Sequence, residues 1–383
     1  MSIRLALVCD YVEEGWASMD LVGDMILGHL RAGHAGEVEA TRVRPAFRHR
    51  LGRLPTGRFR GAARNVDRLW NRFGDYPRAA GKLRDFDAYH LVDHSYSQVL
   101  HALPPGRAVV TCHDLDTFRC LLEPHLEPRP RWFRAMAGRI LSGFRKAAAV
   151  ACVSEATRDA LAGRGLFPAD RLHVIPNGIP DEFRAGPDPA ADAEAAALLG
   201  PPGPADLLHV GSTIPRKRID LLLAIFEAIR EARPGARLIR VGLPFNPEQG
   251  RLAEGLGLGG SIVALHGLSR PTLAAVYRRA ALVLQPSEAE GFGLPVAEAL
   301  ACGAPVLASA IPALLEVGGE AVAFRPVGDI PAWQAAALAL LDEGAEARRS
   351  RREAGIARAG RYRWAAHVER LIPLYRAAAE GRR

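Results

Sequence analysis

QPSEAEGFGLPVAEALACGAPVLAS, Gln285 to Ser309, is the stretch whose reading decides the fold. Just ahead of it, ALVLQ (Ala281–Gln285) is apolar and short, which predicts a buried parallel strand. Pro286, Gly291, Gly293 and Pro295 then break regular structure before VAEALACG resumes a helical period. The order is strand, loop, helix N-terminus. Pro295 suits the first helical position, and the amides around Gly291, Phe292 and Gly293, aided by the helix dipole, can receive an anion or sugar hydroxyls. Glu290 on the loop and Glu298 about one turn into the helix can both face the crevice above the strand ends, where carboxylates accept hydrogen bonds from vicinal hydroxyls. Taken singly, each would read as a solvated carboxylate.

The spacing Glu-x7-Glu around GFGLP, followed by EALACGAPV, resembles the retaining GT-B glycosyltransferases of family four, the glycosyl transferases group 1. The resemblance implies an α/β chain with two Rossmann-like doubly wound domains facing a central cleft. It also implies a nucleoside diphosphate sugar, GDP- or UDP-linked, as donor substrate, with no cofactor and no metal. By the same resemblance Glu290 and the loop Gly291, Phe292, Gly293 and Leu294 hold the donor sugar and diphosphate, and Glu298 holds the ribose hydroxyls.

Composition agrees with a soluble globular protein of two domains. At 383 residues the chain suits two cores of about 180 residues each. A hydrophobic content of 49% with 24% charged residues is ordinary for globular proteins. MSIRLALVCDY has only a short apolar run that meets Asp10, so it reads as a first buried strand rather than a signal peptide, and the expected location is the cytoplasm. Cys9, Cys112, Cys120, Cys152 and Cys302 lack any C-x2-C spacing and read as reduced, mostly buried thiols. The formal charge of +8 is carried by arginine, since Lys82, Lys146 and Lys217 are the only lysines.

Along the chain, strand-like and helix-like runs alternate: RLALVCD, EVEATRV, AYHLVD, AVVTCHD, AAVACVS and RLHVIPNGI in the first half, then DLLHVGS, RLIRVG, SIVALHG, ALVLQ, APVLAS and AVAF. A first helix is expected from Met19 to about Arg31, capped by Ser18, and Ser154 is expected to cap SEATRDALAG. Six prolines between Pro180 and Pro204, interrupted only by an alanine-rich helical piece around Ala190 to Leu199, place the interdomain connection there. The predicted division is an acceptor domain over residues 1–183, a linker over 184–205, a donor domain over 206–360, and a C-terminal helix over 361–383; GT-B proteins return their last helix to the first domain, and the resemblance implies that return here.

In GSTIPRKRIDLLL, Gly211 and Ser212 follow the first strand of the second half, and Arg216, Lys217 and Arg218 lie where the loop enters a helix. Cations there can neutralise a departing diphosphate. The family carries an arginine and a lysine on the pyrophosphate, roles that fall to Arg216 and Lys217. His113, at the carboxyl end of AVVTC and before Asp114, matches a family histidine that contacts the transferring sugar; a lone histidine at a strand end is otherwise a structural residue. His90 and His94 mimic a metal pair, but a strand through AYHLVD would separate them by about 13 Å, so no zinc site is expected. The D-x-D triplets Asp85–Asp87 and Asp114–Asp116 are too short to be specific. GLGLGG (Gly255–Gly260) precedes a strand instead of following one, the wrong order for a dinucleotide fingerprint. In YVEEGWASMD the family's paired glycines are reduced to Gly15, the candidate donor contact, and Glu13 and Glu14 are either acceptor-binding or solvated.

Arg42 to Arg68 carries nine arginines, with Phe47 and Phe59 interleaved. Such a stretch is either a solvated loop or a peripheral contact with an anionic membrane at its inner face. No nucleic-acid motif accompanies it. The expected function is transfer of a sugar, with retention, to a hydroxyl of a carbohydrate or lipid-linked acceptor in cell-envelope polysaccharide or glycolipid synthesis. Two other readings stay open: a nucleotide-sugar epimerase of GT-B-like fold, and a noncatalytic nucleotide-sugar-binding partner.

Overall fold

The computed structural model describes residues 2–51, 60–201, 203 and 205–381. It divides into two compact units, Met1–Asn177 with Trp364–Arg383, and Gly178–Arg363. The first unit carries β1 (Ile3–Val8), β2 (Val38–Val43), β3 (Ala88–Leu91), β4 (Ala108–Cys112), β5 (Ala149–Cys152) and β6 (Leu172–Val174), in the sheet order β2-β1-β3-β4-β5-β6. The second carries β7 (Ala205–Val210), β8 (Ala236–Val241), β9 (Ile262–Leu265), β10 (Leu282–Gln285), β11 (Val306–Ser309) and β12 (Ala323–Arg325), ordered β12-β11-β10-β7-β8-β9. Every pairing is parallel. Parallel strands are covered on both faces, which is why these segments read as unbroken apolar runs and not as alternations.

Strand order reverses between β1 and β3 in the first unit and between β7 and β10 in the second. In doubly wound sheets ligands bind outside the carboxyl ends of strands at such reversals. Cys9 to Tyr11 and Val92 to His94 follow β1 and β3; Gly211 to Lys217 and Pro286 to Glu290 follow β7 and β10. The two reversal points therefore collect most of the candidate residues.

Several local expectations need correction. The helix Ala17–Gly33 starts before Ser18, with Trp16 at its N-cap and no side-chain cap bond. Ser154 does cap the helix Glu155–Gly163, accepting from the Thr157 amide. The linker expected over 184–205 is not a linker. The second unit begins at Gly178, and Pro189 there opens a helix, Pro189–Leu199, capped by Asp188. Arg278 ties that helix to its neighbour, since its Nη2 donates to Asp192 Oδ1 at 2.5 Å. Proline is as much at home in the first turn of a helix as in a connector, and composition cannot separate the two.

The helix Trp364–Ala379 belongs to the first unit, and its Trp364, Val368, Leu371, Ile372 and Tyr375 share a core with Leu5, Leu7, Val22 and Ile26. Burying each such large apolar side chain stabilises by about 1.5–3 kcal/mol. The Tyr375 hydroxyl lies 2.7 Å from His90 Nδ1, and Thr111 Oγ1 lies 2.8 Å from His90 Nε2. Both ring nitrogens are thus occupied, and burial pushes His90 down to about 3. His90 is a neutral core residue; among the described residues no cluster could hold a metal ion. All five cysteines are buried and free.

Candidate functional site

At the reversal in the second unit the loops after β7 and β10 are stitched together. Glu288 N donates to Arg216 O at 2.9 Å, Arg216 Nη1 donates to Ala289 O at 3.2 Å, and Arg218 Nη1 reaches Glu288 at 3.4 Å. Arg218, at φ +49°, adopts the left-handed conformation that turns the chain into the helix Ile219–Ala232. The turn delivers Lys217 to Glu290. Lys217 Nζ donates to both carboxylate oxygens, at 2.6 and 2.7 Å, while Gln285 Nε2 and Ser287 Oγ donate to Oε1 at 2.9 and 2.7 Å. Arg216 Nη1 stands 3.6 Å from the same carboxylate, whose side chain is 5% exposed. Burial alone would raise the Glu290 pKa; the Lys217 and Arg216 charges and the hydrogen bonds overcome it, and the net shift is downward. Glu290 is an anion set among donors. Lys217 has three N–H groups and gives two to Glu290, which leaves one for a ligand.

Gly293 makes the turn from this loop into the helix Leu294–Ala301 possible. Its φ is +100°, and a Cβ there would come within 2.5 Å of Leu314 Cδ2. Pro295 occupies the first turn as expected. The Phe292 and Gly293 amides donate to no carbonyl among the described residues. The Phe292 ring is buried edge-on against Tyr362, centroids 5.3 Å apart, so only the backbone of that residue is available to a ligand. Glu298 is 8% exposed and accepts from the Tyr277 hydroxyl at 3.0 Å. With that single neutral donor, burial pushes its carboxyl up to about 8. The two glutamates of the motif thus stand in opposite electrostatic states.

Beneath the loop lie two residues that sequence reading passed over. His209, in β7, is fully buried, and neither ring nitrogen has a hydrogen-bond partner among the described residues. Burial, reinforced by the Arg240 and Lys217 charges, pushes it down to about 3. Arg240, in β8, is 1% exposed and donates to Gly211 O at 2.9 Å and to Leu243 O, tying the loops after β7 and β8. Gly242 permits that approach, since a Cβ there would meet Gly211 O at 2.0 Å. The signal available in the sequence was a polar residue inside each of two apolar strands, LLHV and LIRV. Ser212 follows Gly211 in the same loop.

In the first unit His113 sits directly after β4, and its Nε2 lies 2.7 Å from Val92 O. A carbonyl only accepts, so Nε2 carries the hydrogen and Nδ1 is the acceptor. Burial lowers the His113 pKa, which favours this neutral form. Gly15, at φ +76°, ends the short turn Val12–Glu14. Glu14 is not a solvated loop carboxylate. Its side chain is 1% exposed, with Arg72 at 3.3 Å and Arg68 at 3.9 Å.

The arginine-rich stretch is less naked than its sequence. Arg42 pairs with Asp24 at 2.5 Å, Arg44 with Asp20, and Arg50 with Asp75 at 2.6 Å, all acids from outside the stretch. Residues 52–59, with Phe59, lie outside the described residues. Trp70 and Val66 remain 54% and 46% exposed on the adjoining helix Arg60–Trp70. Among the described residues no helix is long and apolar enough to cross a membrane.

Two doubly wound units, the second with a glycine-led loop and paired glutamates at its reversal point, define a GT-B fold, and comparison with known proteins agrees. Residues 22–183 match the family described as Glycosyltransferase Family 4, and residues 192–358 match Glycosyl transferases group 1. The chain belongs to this family of glycosyltransferases. A D-inositol 3-phosphate glycosyltransferase of Segniliparus rotundus is 36% identical over 225 residues, 55% of this chain and 48% of the relative. The O-antigen chain mannosyltransferase B of Escherichia coli is 28% identical over 310 residues, 78% of this chain and 77% of the relative. The chain spans about half the length of the inositol 3-phosphate glycosyltransferases it matches. Among solved structures, Anabaena HepE in complex with UDP and glucose superposes with a TM-score of 0.68 at 18% identity, covering 97% of this chain and 98% of the other.

Proposed function

We propose that this protein is a retaining glycosyltransferase that moves a sugar from a UDP- or GDP-sugar to a hydroxyl of a carbohydrate or lipid-linked acceptor, in cell-envelope polysaccharide or glycolipid synthesis. The observation that carries the reading is the Lys217–Glu290 pair, with Arg216 beside it, at the β7–β10 reversal next to the amides that open the helix Leu294–Ala301. In this reading Lys217 and Arg216 face the diphosphate as charge grows on it, and the Phe292 and Gly293 amides add preorganised dipoles. Glu290, anionic and braced by donors, accepts from donor-sugar hydroxyls, and Glu298 accepts from the ribose. His113 accepts from a sugar hydroxyl through Nδ1. The nucleotide-sugar reading is supported by the UDP and glucose held by Anabaena HepE, and the envelope assignment by the O-antigen relative's name.

With two cations supplying the charge, turnover needs no divalent metal. Incubation with a panel of UDP-, GDP- and ADP-sugars in excess chelator should release nucleotide and give a product whose anomeric proton coupling matches the donor. Complete metal dependence or an inverted product refutes the reading. A changed sugar without transfer would instead identify an epimerase, and binding without turnover a noncatalytic partner.

The location proposed is cytoplasmic with peripheral contact through Arg42–Arg68. Because Arg42, Arg44 and Arg50 are neutralised within the fold, binding to anionic liposomes should be weak and should fade as salt passes the physiological range, each free surface cation adding only about 1 kcal/mol. Cosedimentation indifferent to lipid charge and salt would eliminate the contact.

A further inference from the structure

Asp10 and Asp93 emerge side by side where the sheet of the first unit reverses. β1 and β3 are in register through Val8 and Leu91, and the ladder continues as Val92 N donates to Val8 O at 3.1 Å. Two residues beyond Val8 and Leu91 stand the two aspartates, 3% and 7% exposed. The register sets them on neighbouring strand ends, where the charge of one bears on the other. They are unequally served. Asp93 Oδ1 accepts from the Ser95 amide at 2.8 Å, Oδ2 accepts from the Ser95 hydroxyl, and His94 Nδ1 lies 3.3 Å from Oδ1. Neither Asp10 oxygen receives a hydrogen bond from any donor among the described residues. Arg72, on the helix side, is engaged by Glu14 at 3.3 Å, by the Ser95 carbonyl, and by the face of Tyr96 with 4.4 Å to the ring centroid.

Two neighbouring acceptor-only carboxylates resist ionising together in a buried site, whereas one proton between them satisfies both. The charge belongs where the donors are, on Asp93, and the proton therefore belongs to Asp10. We propose that Asp10 is a positioning residue: it carries a proton at neutral pH and donates it to Asp93, so that the pair holds one negative charge against His94 and, beyond it, His113. His94 Nδ1 lies 3.3 Å from Asp93 Oδ1 and 3.4 Å from the His113 amide that donates to it, so the charge on Asp93 reaches His113 through the His94 ring. The His94 and His113 rings then lie 6.4 Å apart, and His113 Nε2 is anchored to Val92 O, the carbonyl next to Asp93.

The electrostatics agree with the geometry. Burial, then the charge of Asp93, holds Asp10 well above the usual carboxylate range. Asp93 is lowered to about 2 despite burial, because His94, His113 and Ser95 all favour its anion. The titratable groups facing the pair are His94 from the end of β3, His113 and Asp114 from the end of β4, Glu14 from the loop of Asp10 itself, Arg72 from the helical segment Asn71–Asp75, and the hydroxyls of Tyr76 and Tyr96. None of them places a free cation on Asp10.

Only the link to turnover rests on the transferase reading; the proton itself is measured separately. Glu298 is a second carboxyl expected to be neutral at pH 7, so infrared spectra are taken on the Glu298→Gln background. That protein should show the C=O stretch of a protonated carboxylic acid at neutral pH, and adding Asp10→Asn should abolish it. Persistence of the band in the double variant overturns the proposal whatever the enzyme's activity. In the otherwise native protein, turnover should fall about tenfold for each pH unit beyond the titration of Asp10, and Asp10→Asn should remove this alkaline limb. Asparagine keeps a donor toward Asp93 and should rescue the neutral-pH turnover that Asp10→Ala loses. An alkaline limb identical in Asp10→Asn and native protein overturns the positioning role even if the infrared band behaves as expected.

Discussion

Replacing Lys217 with alanine should lower turnover by about 10²- to 10³-fold, the scale for removing one preorganised group that stabilises developing charge. Stability should fall as well, for a reason visible only in the fold. Lys217 supplies two of the four hydrogen bonds to a carboxylate that is 5% exposed. Breaking a buried pair from one side costs about 3–5 kcal/mol, and Arg216, Gln285 and Ser287 should hold the loss to the lower end. Glu290 is depressed below its ordinary 4.5, so in the native protein it contributes stability above that pH and loses it as pH falls through the folded value. Without Lys217, burial dominates and the sign reverses. On a Glu298→Gln background, which removes the opposing titration, denaturant titrations at about pH 3 and about pH 6 should therefore show the protein with Lys217 gaining stability at the higher pH, and the Lys217→Ala variant losing or inverting that gain. The double variant Lys217→Met with Glu290→Gln should recover stability but not turnover. Near-normal turnover in Lys217→Ala would refute the diphosphate assignment, and recovery of turnover in the double variant would make the pair purely structural.

Glu298→Gln should separate donor binding from chemistry and erase a pH dependence of opposite sense. The folded pKa of Glu298 is raised to about 8 from 4.5, so between those values the native state binds the extra proton and stability falls as pH rises, levelling off above the folded value. A tenfold difference in proton affinity between the folded and unfolded chain is worth about 1.4 kcal/mol, which puts the total at a few kcal/mol. Glutamine has nothing to ionise. Its advantage over the native protein should be greatest at about pH 8 and vanish at about pH 4. Ribose hydroxyls are held alike in ground and transition states, so at neutral pH the donor dissociation constant should rise by about 2- to 10-fold, the worth of one neutral hydrogen bond, with turnover at saturation little changed. Calorimetric titration with the nucleotide and melting curves across pH read both effects. An unchanged dissociation constant, or the same pH slope in variant and native protein, would contradict the role of the carboxyl.

The architecture was legible because a parallel strand must be apolar throughout and a nucleotide-binding loop must contain glycine, both constraints on consecutive residues. Gly293 and Pro295 announce the helix they begin, and Glu290 and Glu298 lie close enough in sequence to be seen as one motif. What escaped were contacts between distant segments. Asp10 and Asp93 are brought together by the register of β1 and β3, and each alone is an ordinary residue at a strand end. The arginine-rich stretch lost part of its surplus to Asp20, Asp24 and Asp75, which no local charge count includes. The alanine-rich helix from about Ala190 is legible in the sequence, but the prolines around it read as a linker although Pro189 opens that helix. His209 and Arg240 look misplaced in apolar strands until Gly211 and Gly242 are seen to lie over them.

The placement of helix Trp364–Ala379 has a consequence for the order of synthesis. Ribosomes deliver Gly178–Arg363 before that helix, so the second unit can be complete while the first still lacks one wall of its core. Until Trp364, Leu371 and Tyr375 emerge, the nascent first unit exposes the apolar face formed by Leu5, Leu7, Val22 and Ile26. The segment made first is the one that finishes folding last. Chaperone dependence should accordingly follow the time taken to translate residues 178–363, and a frameshift shortly before Trp364 should damage the N-terminal half of the protein more than the C-terminal half in which it falls.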